Sequence, residues 1–377
     1  MKILGIETSC DETAAAVVED GVKILSNVVV SQIDIFAEYG GVIPEVAARS
    51  HLEAMMPVVK KALDDANCTW DDIDAIAVTY APGLLGSLLV GTLTARTLAI
   101  LHNKPLYAVH HLKSHVYANW LQNSNGKVGA ACPSDTLRVA LARSSCSAEH
   151  IAPAFPLLAL VVSGGHTQIL YMPAHNKFEI IGTTRDDAVG ECFDKVAKIL
   201  GLPYPGGPSI AKAAKDGDPN RYKLPRPKVE GLDFSFSGLK TAVLRAVQKE
   251  LGLPISHPSH DLKNHLSLQQ VADFAASFQK TAVEILDEKL EAALAQYPDA
   301  KSVVVAGGVS ANEKLRELFM SRLGPRPSQN INIFFPAPSL SGDNGAMVGA
   351  AAYYEIQSGV EPTDPYSLDI YPRISIN

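Results

Sequence analysis

The spacing of hydrophobic residues divides the chain into two stretches that open in the same way. Residues 2–20 contain the apolar segment KILGIE, the polar turn TSCDET and a second apolar segment, AAAVVED. Residues 156–172, PLLALVVSGGHTQILYM, repeat the order of apolar strand, small-residue turn and apolar strand. Short apolar runs between turn residues are typical of β-strands. Because a repeated pattern indicates a duplicated unit, the sequence predicts two lobes of similar topology.

Helical and strand patterns alternate after the first of these hairpins. A helix begins near Pro44, a residue well tolerated in a first turn, and carries an apolar face. The buried strand IDAIAVTY at 73–80 follows, then an apolar helix at 87–102 that ends at Asn103, and then the strand PLYAV at 105–109. This order predicts an α/β lobe.

The second half shows the same alternation. A helix at 186–201 has acidic residues in its first turn and a terminal glycine, as the helix dipole and C-cap preferences favour. A long helical region at 263–298 precedes the strands SVVVA at 302–306 and INIFF at 331–335, and a closing helix runs through Tyr354. The chain is therefore predicted to be α/β, with two sheets.

Composition agrees with a folded protein of two domains and narrows its class. The chain has 377 residues, of which 47% are hydrophobic and 19% are charged, as in soluble globular proteins. It contains no run of about 18 uncharged apolar residues, and its first residues turn acidic without an apolar or Arg-rich leader. We therefore expect no membrane span and a cytoplasmic location.

Cysteines and charges argue against two further classes of site. The five cysteines form no CxxC pair, so neither a disulfide framework nor a cysteine zinc site is expected. The net charge of -7 argues against a wholly basic nucleic-acid surface, although RYKLPRPK at 221–228 is a local basic run. A solvated loop is the alternative interpretation of this run.

The segment VHHLKSHVYANW at 109–120 raises the question of a metal site. His111 and His115 are four residues apart, so on a helix both rings lie on one face with Cβ atoms about 5–6 Å apart. Protein metal sites usually need a third protein ligand, and without one ordinary surface or core histidines are the favoured interpretation. Asp343, in SGDNG before an apolar helix, is either a plain N-cap or a carboxylate that completes the site.

Small-residue turns indicate where a ligand would bind. TSCDET, SGGHT and GGVSAN each follow an apolar strand, and glycines at strand ends let backbone N–H groups approach anionic groups. Three such turns in two lobes indicate a cleft that closes on a nucleotide, with phosphates near the hairpins and base and ribose near GGVSAN. Ordinary tight turns are the alternative, and neither the P-loop pattern nor GxGxxG occurs. The loop LGLPYPGGPSI, with Gly206 and Gly207, follows the helix that carries Asp194, so both are expected to border one pocket.

Seven motifs occur in an order that points to one protein family. They are IETSCDET at 6–13, HHLKSH at 110–115, LVVSGGHTQ at 160–168, YPGGP at 204–208, FSFSGLKT at 234–241, GGVSAN at 307–312 and SGDNGAM at 341–347. In this order they resemble the TsaD/Kae family of tRNA threonylcarbamoyladenosine synthases, over nearly the whole chain except an insertion and the last twenty or so residues. The resemblance implies a two-lobed actin-like ATPase (ASKHA) fold, an α/β fold in which duplicated RNase H-like domains enclose a central cleft.

The resemblance also implies where the domains begin and end. We expect an N-terminal lobe at 1–109, completed by a C-terminal helix at about 343–357, and a C-terminal lobe at 157–342. Residues 110–122 form a metal-binding helix between the lobes. The Ala-, Ser- and Pro-rich insertion at 123–156 is longer than we expect for the family, and we predict an extended loop with one short helix at DTLRVALAR. The insertion leaves the ligands in place but changes the rim of the cleft.

The activity that the resemblance implies is acyl transfer to tRNA. A threonylcarbamoyl group passes from threonylcarbamoyl-AMP to N6 of the adenosine 3′ of the anticodon, in tRNAs reading ANN codons, forming t6A and releasing AMP. One divalent metal, iron(II) in the first place and zinc in the second, is held by His111, His115 and Asp343. No general base is identified. An adenine nucleotide occupies the cleft, and the family's substrate-binding residues match Val161, Val162, Ser163, Gly164, Gly165, Asp194, Gly207 and Asn312.

Partners are expected because the chain as a whole is acidic while its substrate is a polyanion. The family depends on TsaB-like and TsaE-like accessory proteins in bacteria, and a homodimer is the alternative assembly. Within this chain, a basic strip of Arg221, Lys223, Arg226 and Lys228 is expected to help seat tRNA.

Three rival functions stand beside this one. A zincin-like metalloprotease would share the spacing of His111 and His115, but Leu112 stands where HExxH needs its glutamate. A sugar kinase or chaperone ATPase of the same fold would not need two histidines and an aspartate. An inactive scaffold subunit, as occurs among paralogues of the family, would not need to retain all three ligands.

Overall fold

Two mixed sheets with the same strand order form the framework of the chain. The computed structural model describes residues 1–122, 152–259, 261–323 and 331–376. Within these residues ten strands form two five-stranded sheets, as the repeated hairpins predict. Most of the predicted insertion, 123–151 with the expected helix at DTLRVALAR, lies outside the described residues.

The first sheet is built on the opening hairpin of the sequence. Its strands are β1 (Lys2–Glu7), β2 (Glu12–Glu19), β3 (Lys23–Ser31), β4 (Ala75–Ala81) and β5 (Leu106–His110). Their order is β3-β2-β1-β4-β5, in which β1 pairs antiparallel with β2 and parallel with β4. The edge strand β3 was not predicted, because Ser26 and Asn27 interrupt its apolar run and its outer end is exposed.

The second sheet repeats this arrangement strand for strand. It contains β6 (Leu157–Val162), β7 (Thr167–Ala174), β8 (Lys177–Thr183), β9 (Ser302–Ala306) and β10 (Asn332–Phe334). Their order is β8-β7-β6-β9-β10, and β6 pairs antiparallel with β7 and parallel with β9. The carboxyl ends of β1 and β6 therefore occupy equivalent places in the two sheets.

Four α-helices lie in the described residues that precede β6. They are α1 (Ile33–Ala37), α2 (Pro44–Asp65), α3 (Leu85–His102) and α4 (His111–Tyr117). The predicted start at Pro44 and the predicted end at Asn103 are confirmed, and Asn103 has the left-handed φ of 51° typical of a C-cap. α2 and α3 pack on one face of the first sheet. By length and composition α3 could cross a membrane, a property that core helices of soluble proteins share.

The helices of the second half correct three expectations. They are α5 (Val189–Leu200), α6 (Gly206–Ala213), α7 (Ser237–Glu250), α8 (Leu268–Gln296), α9 (Glu313–Leu323) and α10 (Gly345–Gln357). The predicted helix at 186–201 starts later, at Val189, because Asp186 instead accepts hydrogen bonds from the segment before α7. Gly206 and Gly207 lie in the first turn of α6 rather than in a loop. The helical region at 263–298 is a short 3-10 turn at Leu262–Asn264 followed by α8, whose N-cap is Ser267.

α4 and α10 lie between the two sheets and join them. One buried cluster contains residues of both helices together with the facing sides of β1 and β6. α10 crosses β1 at very short range, since a Cβ on Gly5 would lie 2.2 Å from the carbonyl oxygen of Gly345. Only glycine allows this approach, so the start of α10 is fixed relative to the first sheet.

The C-terminal segment, residues 358–376, runs back along the first lobe as an extended chain. Arg96 of α3 donates hydrogen bonds to three of its carbonyl groups, including that of Pro365 at 2.5 Å. The Gly83 N–H donates to the carbonyl of Pro372, and the side chain of Ile376 is buried. These contacts bring the segment to the helix that carries the two candidate histidines.

Candidate metal centre and nucleotide cleft

The histidine-bearing helix α4 begins where β5 ends. His110 is its N-cap, and the side chain of His110 accepts a hydrogen bond from the backbone N–H of Leu112 at 3.3 Å. Six of its seven side chains are buried because α4 lies between the sheets. His110 also points elsewhere than the other two histidines, with its Nε2 3.3 Å from the carbonyl of Ile374.

The three predicted metal ligands lie together. The rings of His111 and His115 have centroids 4.5 Å apart, and Asp343 faces both of them. Oδ1 of Asp343 lies 3.2 Å from Nε2 of His115 and 3.7 Å from Nε2 of His111. Ligands bound at about 2.0–2.2 Å to one ion are separated by distances of this size. The geometry therefore fits one divalent metal.

Asp343 owes its position to the start of α10, but it does not cap that helix. The N-cap is Asn344, whose side-chain oxygen accepts a hydrogen bond from the Met347 N–H at 3.0 Å. The N-cap interpretation of Asp343 is therefore wrong. Its carboxylate is directed at the two histidines instead.

The hydrogen bonding of His115 supports a metal more directly. Both ring nitrogens of His115 are buried and have no hydrogen-bond partner among the residues that the structure describes, although Nε2 lies 3.2 Å from the Asp343 carboxylate. Buried polar atoms in native proteins are nearly always paired, because an unpaired one loses its hydration without compensation. A metal ion at Nε2 would satisfy that nitrogen.

Glu7, which the sequence analysis did not single out, orients His111. It is fully buried at the end of β1, and its Oε2 lies 3.2 Å from Nδ1 of His111. The same oxygen accepts a hydrogen bond from Thr79 at 2.6 Å. A carboxylate behind a ligand histidine fixes the ring and leaves the opposite nitrogen free for the metal. The signal in the sequence was a charged residue closing the apolar strand KILGIE.

The charges at the centre favour a cation. Burial opposes charge on His111, yet the carboxylates of Asp343 and Glu7 raise its pKa to about 9. Burial likewise opposes charge on Asp343, but attraction to His111 and His115 lowers its pKa to about 2. The pKa of nearby His166 falls to about 3, through burial and then repulsion from the same histidines. The positive charge of protonated His111 thus offsets the negative charges of Asp343 and Glu7, as a bound metal ion would.

The turn between β1 and β2 adds further acidic groups. Asp11 is buried there, and the pKa of Glu12 rises to about 10 through burial and the nearby charges of Asp343 and Asp11. A cation bound beside these groups would offset the repulsion between them and favour the charged form of Glu12. The first hairpin turn therefore faces the metal side of the cleft.

The equivalent turn between β6 and β7 has the opposite character. The Ser163 N–H donates to the carbonyl of His166 at 2.8 Å, and the His166 N–H donates back to the Ser163 hydroxyl at 3.1 Å. A Cβ on Gly164 or Gly165 would meet no described atom within 4 Å, so the backbone here is open to a ligand. The preceding predicted residues, Val161 and Val162, are buried within the sheet and pair with β7.

The other predicted substrate-binding residues come from three helices and their junctions. Asp194 on α5 accepts a hydrogen bond from the Gly206 N–H at 2.7 Å, and its pKa is raised by burial and by Asp11. Space is open at Gly207, where a Cβ would meet no described atom within 4 Å. The amide of Asn312 is already engaged, donating to Gln279 at 2.9 Å and accepting from the Leu315 N–H at 3.1 Å.

A cavity adjoins the metal-ligand helix on its other side. It has a volume of about 380 Å³ and is lined by Leu112 of α4, by His166 and Gln168, and by residues 372–376 of the C-terminal segment. Sequence reasoning gave no role to His166 or to this segment. The sequence signal for His166 was its place in the SGGHT turn, which was predicted to approach a ligand.

Comparisons with known proteins agree with the geometry. The sequence model of the TsaD family, described as tRNA N6-adenosine threonylcarbamoyltransferase, matches residues 23–134 and 135–350. A protein of that description from Symbiobacterium thermophilum is 47% identical over 359 residues, which are 95% of this chain and 92% of that one. Another, from Thermomicrobium roseum, is 44% identical over 100% of this chain and 97% of that one.

Among solved structures, the likeness concerns the fold alone. Full-length HypF in its phosphate- and nucleotide-bound form has a TM-score of 0.52 and 12% identity, over 96% of this chain and 47% of that one. Together with the duplicated sheets and the family match, this confirms the predicted two-lobed actin-like ATPase fold.

Proposed function

The chain belongs to the TsaD family of tRNA N6-adenosine threonylcarbamoyltransferases, and from this membership we propose the reaction that it carries out in detail. A threonylcarbamoyl group passes from threonylcarbamoyl-AMP to N6 of the adenosine 3′ of the anticodon, in tRNAs that read ANN codons. The products are t6A and AMP. The reaction takes place in the cytoplasm.

The chemistry places its main demand on alignment. The bond between the carbamoyl carbon and N6 forms, the bond between that carbon and the phosphate oxygen breaks, and N6 gives up one proton. The lone pair of N6 is delocalised into the adenine ring, so the amine is a weak nucleophile and the mixed anhydride supplies the driving force. The protein must hold amine and carbonyl in contact and stabilise charge on the oxygens.

The observation that carries the proposal is the cluster of His111, His115 and Asp343, in which Nε2 of the buried His115 faces Asp343 and has no hydrogen-bond partner among the described residues. These three residues would hold the metal, and Glu7 would keep Nε2 of His111 turned toward it. Two imidazoles and one carboxylate suit iron(II) or zinc, and we propose iron(II) first. A bound ion supplies a Lewis acid for the donor.

Residues of the second lobe would hold the rest of the donor. The open backbone at Gly164 and Gly165 suits an acyl-phosphate, because N–H groups at a turn bind anions. Ser163, whose own N–H donates to the His166 carbonyl, would hold this turn in place beside the donor. Asp194 uses Oδ1 to accept from Gly206, which leaves Oδ2 for a ribose or threonyl hydroxyl. Gly207 and the turn that ends at Asn312 would border the base and ribose. No side chain is assigned as a general base.

The exposed face of α2 and α3 supports an accessory partner. Its large apolar side chains are solvent-exposed and lie on two helices that pack side by side: Leu52, Met56, Leu85, Leu89 and Leu93. Contiguous apolar surface of this kind marks protein interfaces. We assign it to a TsaB-like protein, with TsaE-like protein as a further partner. A homodimer is the alternative occupant, and sedimentation of the chain with and without the TsaB-like protein distinguishes the two.

Reconstitution tests the proposed reaction. The chain is incubated with threonine, bicarbonate, ATP, a donor-forming synthase and unmodified tRNA, with and without the accessory proteins. Mass spectrometry of the digested nucleosides is expected to detect t6A at the adenosine 3′ of the anticodon. A tRNA with the same anticodon loop but guanosine at that position is the matched substrate control and should remain unmodified.

The outcome that contradicts the proposal is equally defined. If the folded, metal-loaded chain forms no t6A with any combination of partners, the proposed reaction is wrong. If t6A forms equally well after the metal has been removed, the reaction stands and the role of the three ligands is wrong.

A further inference from the structure

A second group of metal-ligating side chains lies outside the cleft, in the loop that joins α7 to α8. His257, Asp261 and His265 each direct one ligand atom inward, and these atoms lie within 4.8 Å of one another. Nε2 of His257 is 3.0 Å from Oδ2 of Asp261, and Nε2 of His265 is 3.1 Å from the same oxygen. We propose that this cluster is a second divalent-metal site that binds Zn²⁺.

The distances are close to those that a zinc ion requires. Nitrogen and oxygen ligands bind zinc at about 2.0–2.2 Å, so at tetrahedral angles neighbouring ligand atoms lie about 3.4 Å apart. The two nitrogen–oxygen separations need to open by only a few tenths of an ångström, and the two ring nitrogens already lie within 4.8 Å of each other. Each ring would give up its Nε2 proton. The proton is either released to solvent or carried on Nδ1 in the other tautomer of the ring. Water would occupy the remaining position, since the three side chains are only partly buried.

Described residues on both sides of the cluster are held in place before any ion binds. The buried side chain of Gln248 donates to the carbonyls of Ile255 and His257, each at 3.1 Å, which fixes the first ligand from α7. Leu262 is fully buried in the core of the second lobe, directly after the second ligand. A site whose backbone is already fixed loses little conformational entropy on binding.

A second contact orients the carboxylate itself. Nδ2 of Asn264 donates a hydrogen bond to Oδ1 of Asp261 at 2.9 Å, so the other oxygen, Oδ2, remains turned toward the two rings. Hydrogen bonds of this kind to the non-ligating atom are typical of metal sites and increase affinity. With two imidazoles in the set, borderline transition metals are favoured over Mg²⁺ or Ca²⁺.

The ion would act on the stability of the second lobe. The 3-10 turn at Leu262–Asn264 packs against α5, and a Cβ on Gly201 at the end of α5 would lie 2.6 Å from Cβ of Lys263. A zinc ion that joins His257 to His265 would therefore clamp this turn against the helix that carries Asp194. Because the ion binds only the folded loop, saturating Zn²⁺ should raise Tm by a few degrees.

Zinc stoichiometry tests the site separately from the first centre. The metal-stripped variant His111→Gln/His115→Gln is dialysed against buffered Zn²⁺, and bound zinc is measured by atomic spectroscopy. We expect one zinc per chain, and none after the further substitutions His257→Gln and His265→Gln. His102→Gln, which removes a histidine outside the loop, is the matched control and should leave one zinc bound.

Asp261→Asn keeps the shape and the hydrogen bond from Asn264 while it removes the charge, so its zinc affinity should fall at least tenfold with the fold intact by circular dichroism. If the His111→Gln/His115→Gln chain does not fold, the same comparison is made on the otherwise unchanged chain, where His257→Gln/His265→Gln should lower bound zinc by one per chain. The proposal is overturned if zinc binding is unaffected by the loss of His257 and His265, or if no zinc binds once the first centre is removed.

Discussion

The two hairpin turns occupy equivalent places in equivalent sheets, yet they have opposite chemistry. Between β1 and β2 the turn carries Asp11 and Glu12, and it faces Asp343. Between β6 and β7 the turn carries Gly164 and Gly165, whose backbone is open. A carboxylate-rich turn attracts a cation, whereas exposed backbone N–H groups attract an anion.

The difference shows how a duplicated fold makes one site from two halves. The three candidate metal ligands lie on α4 or directly before α10, the two helices that lie between the sheets. The predicted substrate-binding residues all lie at or beyond β6, in the second half. The candidate cation-binding and anion-binding residues thus come from different parts of the fold, which suits a donor in which a carbonyl is joined to a phosphate. The following predictions test this division.

Loss of a candidate metal ligand should have the largest effect. His115→Ala removes a nitrogen that has no other partner, so we expect loss of bound metal and a fall in t6A formation of more than about a hundredfold. Metal content and nucleoside analysis measure the two effects. His110→Gln is the matched control, because the His110 ring turns toward the Ile374 carbonyl and not toward Asp343. Equal losses in both variants would remove His115 from the ligand set.

Loss of the residue behind a ligand should have an intermediate effect. Glu7→Gln keeps the shape but removes the charge that orients His111, so metal affinity should fall about 10–100-fold while the ligands remain. Calorimetric titration with the metal measures this. Glu19→Gln, at the far end of the same hairpin, removes a partly exposed carboxylate that pairs with Lys23 and should leave affinity unchanged. If both variants bind metal like the unchanged chain, Glu7 does not position His111.

A methyl group in the second turn should separate binding from stability. Gly164→Ala places a Cβ in open space, so Tm should not change, while affinity for AMP should fall about tenfold if a phosphate lies against this backbone. Gly307→Ala is the contrasting variant, because Gly307 has a φ of 89° and its Cβ would lie 2.5 Å from the Val162 carbonyl. That change should cost about 1–3 kcal/mol of stability. Unaltered AMP binding in Gly164→Ala would place the phosphate elsewhere.

The smallest expected effect concerns tRNA and the basic strip. Arg226 is paired with Glu284 and Glu288 on α8, whereas Lys223 and Lys228 are exposed and form no ion pair with any residue that the structure describes. Lys223→Glu/Lys228→Glu should weaken tRNA binding severalfold and reduce its salt dependence by about two counterions. Arg226→Gln should have less effect, because that charge is already neutralised. Filter binding over a salt series measures both, and an unchanged slope in the lysine variant contradicts the strip.

Eight of the ten described strands were predictable from sequence, including the edge strands β5 and β10, whereas the edge strands β3 and β8 were not. β1, β4, β6 and β9 are nearly continuous apolar runs because they lie in the middle of their sheets. β3 and β8 are edges with one solvated side, so polar residues interrupt their patterns. Helix starts were less certain where an acidic residue served another element, as Asp186 does by binding Ser235 and Phe236.

The metal centre was only partly readable from spacing. His111 and His115 follow from helical periodicity, but Asp343 is far away in sequence and required the family resemblance to be placed with them. Glu7 could not be found in this way, because a carboxylate at the end of a strand looks like a polar boundary. Only the packing of β1 beside α4 brings it to His111.

The C-terminal segment has a practical consequence for anyone who makes this protein. Ile376 is buried, and residues 372–376 line the cavity beside α4. An affinity tag fused after these residues would therefore begin close to the helix that carries His111 and His115. A tag at the amino end should disturb the structure less, because the ammonium of Met1 is near the surface and pairs with an exposed Asp20. Purification handles therefore belong at the amino end, and a weakly active preparation with a carboxyl-terminal handle should first be compared with one tagged there.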